Sequence, residues 1–245
     1  KQLNFLYISD YTNTYKFKIM GDFMVLNLYL FRHGETEYNV TRDRVGGQTN
    51  HLDLSERGIK QAEALGKRLE QERIKFDQIY SSTAVRTKRT AGIVAQIIGY
   101  NHKQIIAVPD LLELSQGDWE GRLRSEVHIP KILEQMRELH WQFKAPNGES
   151  QKDTEERVYE WIQRNLLDDK SSRSIGLFGH GLATKCFLRR VMNSNPRLTY
   201  RIEIDNCSIT HLRYYQSEQH AGGSIVKVND NAHIKATGFS QTGYI

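Results

Sequence analysis

The chain of 245 residues lacks the features that mark several classes of protein. It has only two cysteines, Cys186 and Cys207, so no disulfide framework is indicated and a cytoplasmic location is expected. No apolar stretch approaches the roughly 20 residues of a membrane-spanning helix, so no membrane partner is expected. No group of side chains has metal-ligand spacing. Repeats, low-complexity runs and linkers between domains are also missing.

Charge of one sign is not concentrated either. Lysine and arginine number 34 against 29 aspartates and glutamates, which leaves a net charge of +5 and a pI of about 9.1. This mild basicity suits an anionic ligand, but it is too diffuse to indicate a nucleic-acid partner.

Residues 1–23 form a separate compositional region. They are rich in Tyr, Asn, Thr and Lys, with no continuous apolar core and no small-residue cleavage pattern. We expect a poorly ordered N-terminal extension rather than a secretory signal. A transit peptide is the alternative, and the absence of arginine weakens it. A single domain is then expected over residues 24–245.

Apolar strands and amphipathic helices alternate along most of that domain. Strands are expected at 25–31, 76–81, 105–108 and 174–179, and helices at 55–72, 84–98, 153–167 and 182–192. This order predicts an α/β fold, a three-layer α/β/α sandwich with a mainly parallel central sheet. Residues 125–143 break the alternation and are expected to be helical, within a small helical cap insertion at about 122–150. Residues 209–215 and 224–228 are expected to be edge strands.

The most informative polar stretch, Arg32-His33-Gly34-Glu35-Thr36, directly follows the first strand. The carboxyl ends of strands are where ligands bind in open α/β sheets. A guanidinium beside an imidazole suits an anion there, and the imidazole can attack it. A histidine after a strand is more often a hydrogen-bonded structural residue, so this motif alone is only a hint.

Three further strand ends carry polar groups of the same kind. Gly179-His180-Gly181 opens a helix, whose free N–H groups favour phosphate. Arg86 lies in the first turn of a helix, where a cation opposes the helix dipole unless it meets an anion. Glu113 stands between leucines, and a carboxyl group in an apolar setting can keep a proton and act as a general acid. Taken singly, each also fits a purely structural hydrogen bond or ion pair.

Together these motifs resemble the histidine phosphatase superfamily, which includes the cofactor-dependent phosphoglycerate mutases. The resemblance runs from about Leu26 to Tyr214. It rests on Arg32–Thr36 with Asn39, Ser81-Ser82 with Arg86-Thr87 and Thr90-Ala91, Glu113 with Gly117 and Trp119-Glu120-Gly121, Gly148-Glu149-Ser150, Gly179-His180-Gly181 and Asn206–Thr210.

The resemblance implies a role for each strand-end residue. His33 would attack phosphorus and become a phosphohistidine. Arg32, Arg86 and His180 would hold the phosphoryl oxygens. Glu113 would protonate the leaving oxygen and then take a proton from the attacking water.

The resemblance also implies a simple set of ligands. Asn39, Gln48 and Gly181 are expected to contact the phosphate or the substrate. The fixed cations would replace a metal, so no cofactor is expected. The partner would be a small-molecule phosphomonoester, and a homodimer is among the assemblies left open.

Two branches of this superfamily remain in competition. Mutases carry an Arg and a Tyr soon after the acid, which clamp the substrate carboxylate, and a Trp in the first loop. Here Glu113 is followed by Leu114-Ser115-Gln116-Gly117-Asp118, and Gly47-Gln48-Thr49 stands in the place of the Trp. This favours a phosphatase, with a mutase as the alternative.

Two other functions were compatible with parts of the sequence. Cys207 and Arg213 have the Cys-x5-Arg spacing of cysteine phosphatases, but the residues between them include no glycine and alternate like a strand. A phosphate-dependent binding module would use the basic and aromatic cap residues Arg122, Arg124, Lys131, Arg137, Trp141, Phe143 and Lys144. Degenerate modules tend to lose the nucleophile or the acid, and both are present here.

Overall fold

The computed structural model of the chain describes residues 24–168, 171–216 and 221–238. The extension expected over 1–23 lies outside these residues. The strands are β1 (Met24–Arg32), β2 (Gln78–Ser82), β3 (Ile106–Val108), β4 (Arg173–Gly179), β5 (Ile209–Gln216) and β6 (Ala221–Asp230). The helices are α1 (Glu37–Thr41), α2 (Glu56–Gln71), α3 (Val85–Ile97), α4 (Arg124–Val127), α5 (Pro130–Leu139), α6 (Gln151–Ile162), α7 (Gly181–Val191) and α8 (Ala232–Lys235). None of the helices in the described ranges is long and apolar enough to cross a bilayer.

The six strands form one mixed sheet in the order β3-β2-β4-β1-β5-β6. The first four strands of the chain are mutually parallel, β5 runs antiparallel to β1, and β6 in turn runs antiparallel to β5. The expected α/β class with a mainly parallel sheet is confirmed. The expectation that residues 209–215 form an edge strand is wrong, because β5 pairs with both β1 and β6. Alternating hydropathy shows which faces are covered, but it does not show how many neighbours a strand has.

Helices cover both faces of the sheet, as the alternation of β1 requires. Leu28 and Leu30 face a core that α6 and α7 complete. Tyr29 and Phe31 point the other way, toward α2, α3 and α8. Successive strand residues point to opposite faces, so one strand supplies both cores. A buried ion pair between Glu155 and Arg189 joins α6 to α7.

The cap is built differently from the single helix expected over residues 125–143. That segment holds two helices, α4 and α5, with a break at His128 and Ile129. Pro130 is the first residue of α5. Proline has no N–H to donate into a preceding turn, so it begins a helix rather than continuing one. The cap has its own small core, formed by Val45, Trp119, Val127 and Ala145 with Phe143 packed against it.

Candidate active site

Three parallel strands end at one edge of the sheet and bring the site together. Arg32 pairs with Gly179 across β1 and β4, and the His33 N–H donates to the Gly179 carbonyl at 3.0 Å. As a result the His33 and His180 ring centroids lie 5.3 Å apart. Ser81 of β2 pairs with Phe178 on the other side of β4, which places the start of α3 beside them.

His33 has the tautomer of a nucleophile. Its Nδ1 lies 2.7 Å from the carbonyl oxygen of Gly34. A carbonyl only accepts, so Nδ1 carries the hydrogen and Nε2 keeps its lone pair. Burial lowers the pKa of His33 well below its usual value, and the nearby Arg86 and Arg32 act in the same direction. The imidazole is therefore neutral near pH 7, with a free nitrogen.

The backbone around the nucleophile is held from three elements. The Gly34 N–H donates to Thr90 Oγ1 of α3 at 3.0 Å, and Asn206 Nδ2 donates to the His33 carbonyl at 2.8 Å. Gly34 also packs on the start of α2, where an added Cβ would lie 2.4 Å from the Gly58 carbonyl oxygen. Gly34 is thus required by a backbone contact inside the protein.

His180 is fully buried, and both of its ring nitrogens have protein partners. Nε2 lies 2.8 Å from Ser82 Oγ, and Nδ1 lies 3.2 Å from Arg86 Nη2. Arginine only donates, so Nδ1 accepts and Nε2 carries the hydrogen. Burial and the positive charge of Arg86 lower the pKa of His180 well below its usual value. Like His33, this histidine is neutral.

Arg86 is not a surface arginine paired with a carboxylate. Its guanidinium is buried and donates to the carbonyl oxygens of Gly47 (3.2 Å), Gln48 (3.0 Å) and Thr49 (3.0 Å). With the contact to His180, these bonds use the four N–H groups of Nη1 and Nη2. Burial lowers the pKa of Arg86 to about 10, so it stays charged at neutral pH.

Arg32 is held by a different set of contacts. Its Nη1 donates to the carbonyl oxygen of Ile204 at 2.7 Å, and the side chain is 6% exposed. The guanidinium passes over Gly181 at the start of α7, where an added Cβ would lie 3.2 Å from Arg32 Nε. Gly181 therefore makes room for a cation beside the helix N-terminus.

Glu113 lies beside that same helix N-terminus. Its carboxylate accepts from the N–H groups of Leu114 (3.0 Å), Leu182 (3.0 Å) and Ala183 (2.8 Å). The leucine neighbours in sequence suggested an apolar setting, and the structure shows a ring of backbone donors instead. Gln48 Nε2 donates to the Glu113 carbonyl at 3.3 Å, so the Gln48 side chain lies between the acid and the Arg86 loop.

Asn39 is placed next to the nucleophile loop. Its Oδ1 accepts from the Thr36 N–H at 3.1 Å and from Asn206 Nδ2 at 3.4 Å. The amide oxygen is thus engaged at the start of α1. The amide nitrogen is the group that would donate to a phosphate.

The cap cations named in the sequence make contacts within the protein. Arg122 pairs with Glu126 at 3.5 Å, and Lys144 pairs with Asp153 at 2.7 Å. Trp141 lies under the Arg189 guanidinium, 4.8 Å from ring centroid to Cζ. A concave pocket of about 260 Å³ opens beside them, lined by Trp119, Val127, Ile129, Ile132, Phe143 and Lys144 among others.

The cysteine-phosphatase alternative is not supported by the geometry. In the sheet, Arg213 of β5 pairs with Asn27 of β1 and donates to the Asn27 Oδ1. Ile209, at the start of β5, pairs with Phe31, which is four residues away from Asn27 along β1. Burial raises the pKa of the Cys207 thiol, which disfavours a reactive thiolate. Across residues 24–168, 171–216 and 221–238, no group of three or more His, Cys, Asp or Glu is arranged to hold a metal ion.

Some residues matter at this site although the sequence offered no role for them. Ser82, Thr90 and Asn206 belong to the recognised motifs, but each acts by holding another residue. Gly58 belongs to no motif, and an added Cβ there would lie 2.1 Å from the carbonyl oxygen of Glu35. Contacts between segments far apart in sequence leave no local signal.

Fold and site together define an α/β protein with two neutral histidines and two buried arginines where the parallel strands end. The chain belongs to the histidine phosphatase superfamily (branch 1), whose family model matches residues 28–231. The resemblance seen in the sequence is thereby confirmed.

The chain is similar to relatives and solved structures that carry the names of mutases and phosphatases. The chain is 31% identical to the probable phosphoglycerate mutase GpmB of Cronobacter sakazakii over 220 residues, which cover 86% of this chain and 96% of the relative. It also resembles a mycobacterial glucosyl-3-phosphoglycerate phosphatase (TM-score 0.71, 23% identity, 84% of this chain and 99% of that one). The α-ribazole phosphatase of Shigella flexneri is similar to the same degree (TM-score 0.70, 24% identity, 84% and 96%). At these identities the structural likeness concerns the fold.

Proposed function

We propose that this protein is a metal-independent phosphomonoester hydrolase that works through a phosphohistidine on His33. The observation that carries the proposal is the state of the His33 ring. The Nδ1 hydrogen is donated to the Gly34 carbonyl, which leaves the Nε2 lone pair available for attack in a site with two buried cations. A neutral, oriented nucleophile facing positive charge is what attack on a phosphate dianion requires.

The arginines would hold the phosphoryl group during attack. An incoming phosphoryl oxygen would replace His180 Nδ1 as the acceptor of Arg86 Nη2, since the other bonds of Nη1 and Nη2 go to backbone carbonyls. Arg32 and Gly181, the first residue of α7, would offset charge on the remaining oxygens. His180 would donate to the same oxygen in its other neutral tautomer, with the hydrogen on Nδ1 and the Ser82 hydroxyl donating to Nε2.

Glu113 would handle the proton on the leaving-group side. Its carboxylate is fixed at the N-terminus of α7, the helix that His180 precedes. It would protonate the leaving oxygen when the phosphohistidine forms, and it would accept a proton from water when that intermediate is hydrolysed. Asn39 and Gln48 would donate to the phosphate or the substrate.

A phosphoglycerate mutase is the second candidate, because the curated relatives carry that name. The loop after the acid, residues 114–121, contains no Arg, Lys or Tyr to clamp a substrate carboxylate. Its Ser115 and Gln116 N–H groups are instead bonded to the carboxylates of Glu149 and Glu120. These features favour transfer to water over transfer to a second substrate hydroxyl.

The test is a phosphate-release screen over a panel of small phosphomonoesters, with the His33→Ala protein as blank. We expect release by the wild type and an acid-labile phosphoenzyme that the variant does not form. Unchanged activity in His33→Ala would refute the mechanism. Rapid isomerisation of 3-phosphoglycerate with added 2,3-bisphosphoglycerate, with little free phosphate, would establish the mutase.

A further inference from the structure

The loop of residues 47–49, which binds the Arg86 guanidinium, is itself held by hydrogen bonds to another side chain. Gly47, Gln48 and Thr49 offer three consecutive carbonyls to one guanidinium, whereas the carbonyls of an extended segment alternate in direction. Gly47 has a φ of +67°, a left-handed conformation that glycine adopts without strain. Hydrogen bonds to another residue are needed to fix the backbone conformation of this loop, because it is not part of a helix or strand.

The Glu120 carboxylate accepts these hydrogen bonds. Its Oε1 accepts from the Gln48 N–H at 2.9 Å, and its Oε2 accepts from the Thr49 N–H at 3.0 Å. The Gly47–Gln48 peptide group therefore donates its N–H to Glu120 and offers its carbonyl to Arg86. The Gln48–Thr49 peptide group does the same. Two consecutive peptide groups lie between a carboxylate and a guanidinium, with their dipoles aligned to both charges.

The same carboxylate also reaches the loop that carries the acid. Glu120 Oε1 accepts from the Gln116 N–H at 2.9 Å and lies 3.4 Å from Ser115 Oγ. An added Cβ on Gly47 would come within 2.7 Å of this oxygen, so the carboxylate lies directly against the loop. One side chain thus ties the Arg86 loop to the Glu113 loop.

We propose that Glu120 is a positioning residue, which sets Arg86 for phosphoryl binding by aligning the peptide groups of residues 47–49. The proposal rests on the proposed function, because it takes Arg86 as a ligand of the phosphoryl group. Glu120 acts through those peptide groups and holds no proton that the reaction needs. Losing it would let the loop carbonyls turn away and leave the guanidinium free to move.

The test compares Glu120→Ala and Glu120→Gln with a matched control, Asp118→Asn. Asp118 is an exposed acid in the same loop, bonded to Asn147. The readouts are the Kd for inorganic phosphate by titration calorimetry and kcat and KM on nitrophenyl phosphate. We expect phosphate binding to weaken about tenfold in Glu120→Ala and kcat to fall roughly 10- to 100-fold, since small misplacements of a charged group are costly. Glu120→Gln keeps one carbonyl oxygen and should rescue part of the loss, and Asp118→Asn should match the wild type.

A double-mutant cycle separates positioning from general destabilisation. If Glu120 works through Arg86, adding Glu120→Ala to Arg86→Ala should change phosphate affinity by less than about twofold, because coupled residues are not additive. Arg86→Gln provides the same background if Arg86→Ala does not fold. An undiminished effect of Glu120→Ala in that background, or wild-type phosphate affinity in both Glu120 variants, would overturn the proposal. Phosphate binding needs no turnover, so a wild type that binds phosphate without hydrolysing esters would refute the proposed function alone.

Discussion

Replacing Glu113 by glutamine is the most discriminating test of the proton-transfer chemistry. In the wild type, three N–H groups donate to this carboxylate, from Leu114, Leu182 and Ala183. Glutamine keeps one oxygen, so at least one of these donors would face an amide NH2 group. A buried donor left without a partner costs about 1–3 kcal/mol, and we expect a lower Tm for this reason.

The catalytic effect should depend on the leaving group. Loss of a general acid slows reactions that need it by about 10²- to 10⁴-fold. This corresponds to roughly 3–5 kcal/mol of barrier for an alkyl phosphate. Nitrophenolate departs with little proton assistance, so nitrophenyl phosphate should slow by about tenfold or less, through the disturbed hydrogen bonds alone. The assay is kcat/KM over aryl and alkyl phosphates, because this ratio reports steps up to formation of the phosphoenzyme.

Glu149→Gln is the matched control. Glu149 accepts from the Ser115 N–H at 3.0 Å and pairs with Arg157 at 2.7 Å, so it supports the same loop from behind. We expect this variant to lower kcat/KM by the same factor for all substrates. If Glu113→Gln also slowed every substrate equally, Glu113 would not be the acid.

Three further predictions concern stability and the buried side chains. Because burial raises the pKa of the Cys207 thiol, alkylating agents should leave activity intact, and rapid inactivation that a Cys207→Ser protein escapes would contradict this. Glu155→Gln should destabilise the fold by about 3–5 kcal/mol in urea unfolding, because it leaves the buried charge of Arg189 uncompensated, whereas the exposed Glu156→Gln should cost under about 1 kcal/mol. Burial lowers the pKa of His211 from 6.5 to about 4, so the unfolded chain binds more protons between these values and stability should fall as pH drops through that window. His211→Gln should reduce this slope, by up to about 1.4 kcal/mol per pH unit, and an unchanged slope would count against it.

The residues of the site could be found from the sequence because they stand at strand ends. Arg32, His33 and His180 each follow an apolar run, and parallel strands deliver their carboxyl ends to one edge. The α/β class was predictable for the same reason, since the alternation of strands and helices is a local pattern. The break of the cap helix at Pro130 was missed although its signal was local.

The partners of those residues were decided by the tertiary structure. The tautomer of His180 depends on Ser82 and Arg86, more than 90 positions away in the chain. The backbone donors around Glu113 come chiefly from the start of α7, about 70 residues further on. Residue type determines which groups can donate and accept, and the sequence alone determined that much. Which lone pair faces which donor depends on how distant segments pack, and only the fold decides that.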